Sequence, residues 1–568
     1  MTSQENLAPL GPLHRMDGVV YPTEEKLRHY IERGALTRET LTDGLAQSFE
    51  RNAQRPALQG PGGDYTYAQL DETTDRLGGA LLELGLKPLD RVIFQINNSN
   101  EVVLMFVACL KAGLIPVCTL AAHREHEIGY LGGLSEARVH FVQGDDPKFD
   151  DVQFANRMRE QLPAIKWVIQ ARGTPRGGAL SLAELVRGIT REAARFLLSQ
   201  GPRDPFQVAA FQLSGGTTGV PKIIPRFHNE YLYNMRSVAN VNGYTAEDSL
   251  FMPLPMMHNL NMGCCFGPFL LTGGALVLTP SMHTEELIET LQKYQPTWAV
   301  LGAVLARIQP ALEAGQLKLT RVRGSIAPNG SPRLRQILGC PVRHIFGMTE
   351  GVIMLTRPDD PQVVQDTMIG HPVSELDEVK LFVPGTEEEI TQEGVEGESA
   401  FAGPYTIHGY YKAEERNKEA FTSTGYYRSG DLMLFREIDG VRYFQFRGRT
   451  KDIVSRGGEK INCEEVEVII RKHPAVTNVQ ICAMPDEVLG ERACAFIQPK
   501  PGHTAPGVDE LGAFLKQEGL AKFKWPERVE QVQEFPMTKT GKLSKLLLKE
   551  IIIEKLAAEN AAKQGVNA

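Results

Sequence analysis

Between Leu213 and Lys222 the chain reads Leu-Ser-Gly-Gly-Thr-Thr-Gly-Val-Pro-Lys, a run of glycines and hydroxyls closed by one lysine. Glycine has no Cβ to hold a ligand off the backbone, so Gly215, Gly216 and Gly219 let main-chain N–H groups approach an anion closely. The hydroxyls of Ser214, Thr217 and Thr218 add hydrogen bonds, and Lys222 adds a positive charge. By chemistry this is a phosphate-binding loop. The GxxxxGK[ST] spacing is not met, and Pro221 stands directly before the lysine. A Gly/Thr-rich turn alone could be only a flexible connection, but the order and composition here are far more specific.

Such a loop needs a strand to launch it, and the apolar run Val208 to Phe211 supplies one. Two helices with polar faces, Thr23 to Arg33 and Thr37 to Arg51, come first. From Asp64-Tyr65-Thr66-Tyr67 and a helix starting at Ala68, helical and strand patterns then alternate. Apolar strand candidates are Arg91 to Gln95, Leu114 to Thr119, Val139 to Gln143, Trp167 to Gln170, Ala275 to Leu278 and Trp298 to Leu301. This alternation predicts an α/β fold with mostly parallel sheets flanked by helices. From Arg436 to Phe446 the pattern changes to a hairpin with Asp439-Gly440 at its turn. Beyond it come a helix (Cys463 to Lys472), two strands (Val476 to Met484, Ala493 to Pro499), a helix (Val508 to Glu518) and a last helix from Ser544, whose alanine-rich end after Leu556 is expected to fray. The expected division is a large N-terminal domain over 1–448 and a small α+β domain over 449–568. A chain of 568 residues exceeds the size at which single cores stop growing, roughly 250–300 residues.

With 42% apolar and 23% charged residues, the composition is that of a globular protein rather than a disordered or fibrous one. The 61 basic residues are scattered among 69 acidic ones, which argues against nucleic acid as a partner. Cysteines 109, 118, 264, 265, 340, 463, 482 and 494 form no CxxC pair or zinc spacing, and read as buried thiols in a reducing cytoplasm. Met1 to Leu13 is polar and broken by prolines, so export is not expected. The stretch Val102 to Ala122 is apolar, but Lys111, Gly113 and Pro116 make it a buried helix turning into a buried strand rather than a membrane span.

The run Ser214 to Lys222 resembles the signature loop of the acyl-adenylate-forming superfamily, which includes acyl-CoA synthetases, peptide-synthetase adenylation domains and luciferases. Further motifs stand in that family's order. Phe346-Gly347-Met348-Thr349-Glu350-Gly351 resembles its adenine and magnesium segment, Gly403 to Tyr411 its next core motif, and Tyr427-Arg-Ser-Gly-Asp431 its ribose-binding motif. Gly448 to Asp452 with Ser455 to Lys460 resembles the hinge and the loop after it, and Pro536 to Lys542 the C-terminal lysine motif.

The roles implied by the resemblance are chemically sensible. Glu350 offers a hard oxygen ligand for Mg²⁺, which would neutralise departing pyrophosphate. Phe346 offers a face to adenine, with Gly347 and Thr349 in the same nucleotide-binding segment. Asp431 can accept both ribose hydroxyls and Arg449 can add a contact to the sugar. A carboxylate attacking the α-phosphate brings two anions together, and Lys542 is the implied cation between them, with Lys539 a solvated neighbour. For the second half-reaction the family rotates its small domain about a hinge, here Lys451, after which the Arg456-Gly457-Gly458 loop lets a pantetheine arm pass. The acceptor is CoA or the phosphopantetheine of an aryl carrier protein, expected in trans because the chain ends soon after Lys542.

Within the family the chain is most similar to the 2,3-dihydroxybenzoate-AMP and salicyl-AMP ligases of siderophore assembly, through Ala122-His-Arg124 with Glu127-Ile128, Ile223-Ile-Pro-Arg226, Pro255 to Asn259 and Gly403 to Glu415. That branch implies that the Asn259 amide binds an ortho-hydroxyl and that His258 lies near the acid's carboxylate. Cys264 stands where dihydroxybenzoate enzymes tend to carry serine and salicylate enzymes cysteine. A thiol is a poor partner for a 3-hydroxyl, and a buried polar group left unpaired costs roughly 1–3 kcal/mol, so salicylate leads and 2,3-dihydroxybenzoate follows. Ala327-Pro328-Asn329 replaces the branch's Gly-Gly-Ala, Ile353-Met354 its Val-Asn, and Leu260 an aromatic, which leaves benzoate, anthranilate or a bicyclic acid open. A catabolic acyl-CoA ligase is the alternative. A catalytically silent binding protein would not need Lys222, Glu350, Asp431, Arg449 and Lys542 together, and luciferase-like oxidation is a remote option.

Overall fold

The computed structural model describes residues 10–214, 221–280, 282–302, 304–327, 332–449, 453–456, 459–486, 489–518, 520, 522–537 and 543–566. Two compact units emerge, Met1–Glu378 with Phe401–Tyr427, and Val379–Ala400 with Arg428–Ala568.

The first unit is built on a seven-stranded sheet. In spatial order its strands are Leu180–Ser181, Trp167–Gln170, Val139–Val142, Arg91–Gln95, Ile115–Val117, Val208–Leu213 and Ile223–Phe227. All neighbours are parallel except the last pair. A parallel sheet needs helices on its faces, which is why its strands are apolar on both sides. Helix Asn100–Lys111 is buried at nearly every position, and strand Ile115–Val117 follows it, so the longest apolar stretch is core. Among the described residues no helix is long and apolar enough to cross a membrane.

A second, five-stranded sheet runs Trp298–Ala299, Ser249–Phe251, Ala275–Val277, Pro56–Gln59, Tyr65–Thr66. A third holds Ser325–Ala327, Val342–Met348, Gly351–Leu355 and His371–Pro372, with only its first pair parallel. All eight cysteines are buried.

The second unit is mainly antiparallel. Strands Tyr427–Ile438 and Val441–Arg449 form the expected hairpin, and its turn residues Asp439 and Gly440 have φ of 52° and 78°, the two left-handed positions that a tight two-residue hairpin turn requires. Beyond it, strands Ile453–Arg456, Glu459–Asn462, Val476–Asp486 and Gly490–Pro499 form a sheet, with Arg528–Gln531 added parallel to Gly490–Pro499. Helices Cys463–Ile470 and Val508–Gln517 close a core of Val454, Val466, Ile470, Ile481, Leu511 and Leu515. The last helix, Lys545–Val566, continues past Leu556 where fraying was expected, because alanine is the strongest helix former.

Candidate active site

The strands on either side of the glycine-rich run, Val208–Leu213 and Ile223–Phe227, pair antiparallel with Leu213 opposite Ile223. The base of that run is clamped twice. The Ser214 N–H donates to the Lys222 carbonyl at 3.0 Å, and the Lys222 N–H donates to Ser214 Oγ at 3.2 Å. The Lys222 ammonium stands 4.7 Å from the centroid of the Tyr410 ring, within cation–π range. Gly215, Gly216, Thr217, Thr218 and Gly219 lie outside the described residues.

Thr349 and Glu350 form the turn between strands Val342–Met348 and Gly351–Leu355, which pair Phe346 with Met354 and Gly347 with Ile353. Phe346 is half-buried and Gly347 exposed. Gly351 has φ 153°, and a Cβ there would meet the Phe401 ring at 2.9 Å and Thr406 Cα at 3.0 Å, so the turn needs glycine. Glu350 is 8% exposed; its Oε1 accepts from the Tyr410 hydroxyl at 2.8 Å, and the Tyr410 and Tyr427 hydroxyls are themselves 2.8 Å apart. Burial raises both phenols, so they stay neutral donors. Thr349 Oγ1 donates to the Leu213 carbonyl at 3.3 Å, and the Thr349 carbonyl accepts from Arg226 at 2.8 Å. Arg226 is 1% exposed and paired with Glu230 at 3.1 Å. Burial pushes the Glu230 carboxyl up to about 7 against the pull of that guanidinium.

His258 and Asn259 are placed by a residue far away in sequence. Asn98 Nδ2 donates to the carbonyls of Met252 (3.2 Å) and Leu254 (2.7 Å), and its Oδ1 accepts from the Met256 N–H (2.7 Å), which shapes the segment running into His258. His258 caps the short helix Asn259–Asn261, its Nδ1 accepting from the Leu260 N–H at 3.2 Å. That helix neighbours strand Val342–Met348 and runs into a single π-helical turn, Met262–Phe266, which carries buried Cys264. Burial pushes the Cys264 thiol up to about 12, so it is neutral. Asn259 Oδ1 accepts from the Tyr231 hydroxyl at 2.8 Å, and that hydroxyl accepts from Gln212 Nε2 at 3.2 Å.

Tyr231, Cys264, Ile353 and Tyr405 share one apolar cluster with Leu260 at its margin. Ala327 packs in another, with Phe251 and Val342. Pro328 and Asn329 lie outside the described residues. The Tyr405 hydroxyl accepts from the Ile353 N–H at 3.4 Å and donates to Asp377 at 2.5 Å. Burial pushes the Asp377 carboxyl up to about 8. Its Oδ1 would stand 2.0 Å from a Cβ on Gly403, which explains the glycine opening that motif.

In the second unit Asp431 is buried, lies opposite Arg449 in the strand register, and donates its N–H to Ser429 Oγ at 3.0 Å. The Arg449 side chain, Lys451, Gly458, Lys539 and Lys542 lie outside what is described. Sequence reasoning did not find Tyr231, Gln212, Asn98 or Tyr427 as site residues, and used Arg226 and Tyr410 only as motif markers. Gln212 and Tyr231 flank the Leu213 to Arg226 segment and Tyr410 and Tyr427 stand within motifs, which was the available signal; Asn98 lies near no motif and carried none.

The AMP-binding enzyme family matches residues 45–411, and the AMP-binding enzyme C-terminal domain matches residues 465–542. The chain is 34% identical over 553 residues to the 2,3-dihydroxybenzoate-AMP ligase of Bacillus subtilis (strain 168), covering 94% of this chain and 98% of that one. It is likewise 34% identical over 547 residues to a salicylyl-CoA synthase / salicylate adenylyltransferase of Streptomyces sp, covering 94% and 98%. The apo structure of MbtA from Mycobacterium smegmatis aligns with a TM-score of 0.68 at 29% identity, covering 94% of this chain and 98% of that one.

Proposed function

Because the chain belongs to the AMP-binding enzyme family, within the acyl-adenylate-forming superfamily, we propose that it uses ATP to convert an aryl carboxylic acid to an aryl-AMP, releases pyrophosphate, and passes the acyl group to a thiol. One observation carries the reading: three consecutive residues of a single strand and its exit reach three different parts of the site. Gln212 holds Tyr231 and through it Asn259, the Leu213 carbonyl holds Thr349 beside Glu350, and Ser214 clamps the phosphate loop. Acid, metal-binding carboxylate and phosphates would thus be held in one rigid frame, as attack on an α-phosphate demands.

In this reading Ser214 to Gly219 and Lys222 bind the phosphates, and Phe346, Gly347 and Thr349 the adenosine. Glu350 is a single buried carboxylate with one oxygen engaged by Tyr410, which fits a Mg²⁺ ion carried in on the nucleotide. Asp431 and Arg449 bind the ribose, and Lys542 bridges carboxylate and α-phosphate. His258 stands by the acid's carboxylate, Asn259 by its ortho substituent, and Cys264, Ile353 and Ala327 by its ring. A neutral thiol at 264 favours salicylate over 2,3-dihydroxybenzoate. The acceptor is CoA or carrier-bound phosphopantetheine supplied in trans, with domains 1–448 and 449–568 moving about Lys451 and the arm passing Gly458.

The test is acid-dependent exchange of labelled pyrophosphate into ATP across salicylate, 2,3-dihydroxybenzoate, anthranilate, benzoate and medium-chain fatty acids. Exchange led by an aryl acid supports the reading, and exchange with fatty acids alone overturns it. Supplying CoA alone, and then a carrier protein, separates the two acceptors.

A further inference from the structure

An amide has two chemically opposite ends, and the end a ligand meets depends on what holds the other. In Asn259 the oxygen is taken. Gln212 Nε2 can only donate, so the Tyr231 hydroxyl accepts from it and gives its single proton to Asn259 Oδ1, at 3.2 Å and 2.8 Å respectively. All three residues are buried, which shields the relay from competing water. The Arg226 guanidinium lies 4.9 Å from the Tyr231 ring centroid, and a cation there makes the phenol a stronger donor. Asn259 Nδ2 makes no hydrogen bond among the described residues.

We propose that Tyr231 and Gln212 are positioning residues that fix the polarity of the Asn259 amide, so that the pocket offers a hydrogen-bond donor and selects acids with an ortho acceptor over acids with an ortho amine. This rests on the aryl-acid reading above. In a 2-hydroxybenzoate the hydroxyl proton turns to its own carboxylate and leaves oxygen lone pairs for Nδ2. A 2-methoxybenzoate also presents an accepting oxygen. In a 2-aminobenzoate the nitrogen lone pair is delocalised into the ring, and its second N–H meets Nδ2–H donor against donor, leaving both unsatisfied.

The experiment is kcat/KM for pyrophosphate exchange with salicylate, 2-methoxybenzoate, anthranilate and benzoate, in the wild type, Tyr231→Phe and Gln212→Met. The wild type should prefer salicylate over anthranilate by about tenfold or more, the scale of one buried donor left unpaired. Tyr231→Phe frees the amide to turn and should shrink that ratio about tenfold; Gln212→Met leaves the phenol but removes its orienting donor and should shrink it by about threefold. A Tyr231 that only fills space would lower all four acids together with the ratio intact, and that result overturns the proposal. If Tyr231→Phe does not fold, an unchanged ratio in Gln212→Met overturns it alone. A wild type that prefers anthranilate overturns it while the aryl-acid reading stands. Exchange with none of the four acids overturns both.

Discussion

The side of the first unit proposed to hold the nucleotide and the side proposed to hold the acid rely on different kinds of interaction. On the nucleotide side the frame is built on cations and a carboxylate: the Arg226 guanidinium, Lys222 over Tyr410, and Glu350 against Tyr410. On the acid side the polar contacts are neutral at physiological pH: Asn98 in the loop before His258, Gln212 to Tyr231 to Asn259, and Tyr405 against an Asp377 carboxyl that burial holds protonated. The difference is chemical. A triphosphate is recognised by charge, which is strong and tolerant of angle, whereas one aromatic acid is told from another by direction, which neutral amides and phenols supply.

The largest effect should come from removing charge on the nucleotide side while keeping shape. Glu350→Gln retains a partner for Tyr410 but not the anion, and exchange should fall about a hundredfold for every acid alike, on the scale of losing one preorganised electrostatic contact. A loss confined to ortho-substituted acids would break the comparison. Asn259→Ala should do what Glu350→Gln does not, lowering kcat/KM for salicylate about tenfold while benzoate, which has no ortho group, changes far less. Tyr410→Phe keeps the ring under Lys222 and removes the hydroxyl that Glu350 and Tyr427 share; a several-fold rise in the Mg²⁺ concentration for half-maximal exchange is expected, with acid selectivity unchanged.

The smallest effect is on stability. The Asp377 carboxyl keeps its proton to about 8 in the folded chain but loses it near its ordinary 3.8 when unfolded. Between those values the folded state binds the extra proton, so this group's contribution is most favourable below the unfolded value and declines as pH rises towards the folded one. Asp377→Asn should flatten the fall of Tm over that window without abolishing it, because Glu230, raised to about 7, titrates in the same sense. A variant whose Tm falls as steeply as the wild type would show that Asp377 is not held neutral.

Much of this molecule is legible in its residues. The proposed phosphate loop rests on local glycine, hydroxyl and lysine chemistry, and the Asp439-Gly440 turn is readable because left-handed backbone demands those residue types. The buried run from Val102 is readable because no charged residue interrupts Val102 to Leu110 within its helix. What the sequence leaves unstated are the pairings between distant residues. Asn98 reaches a loop more than 150 positions away, Tyr231 reaches Asn259 over 28, and Tyr405 reaches Asp377 over 28. Nor does residue type announce the π-helical turn under Cys264 or the grouping of Val379–Ala400 with the C-terminal residues. Periodicity and composition report on neighbours along the chain; which buried donor meets which acceptor is decided only when strands and helices stack, because an unpaired polar group costs nothing until packing has taken its water away.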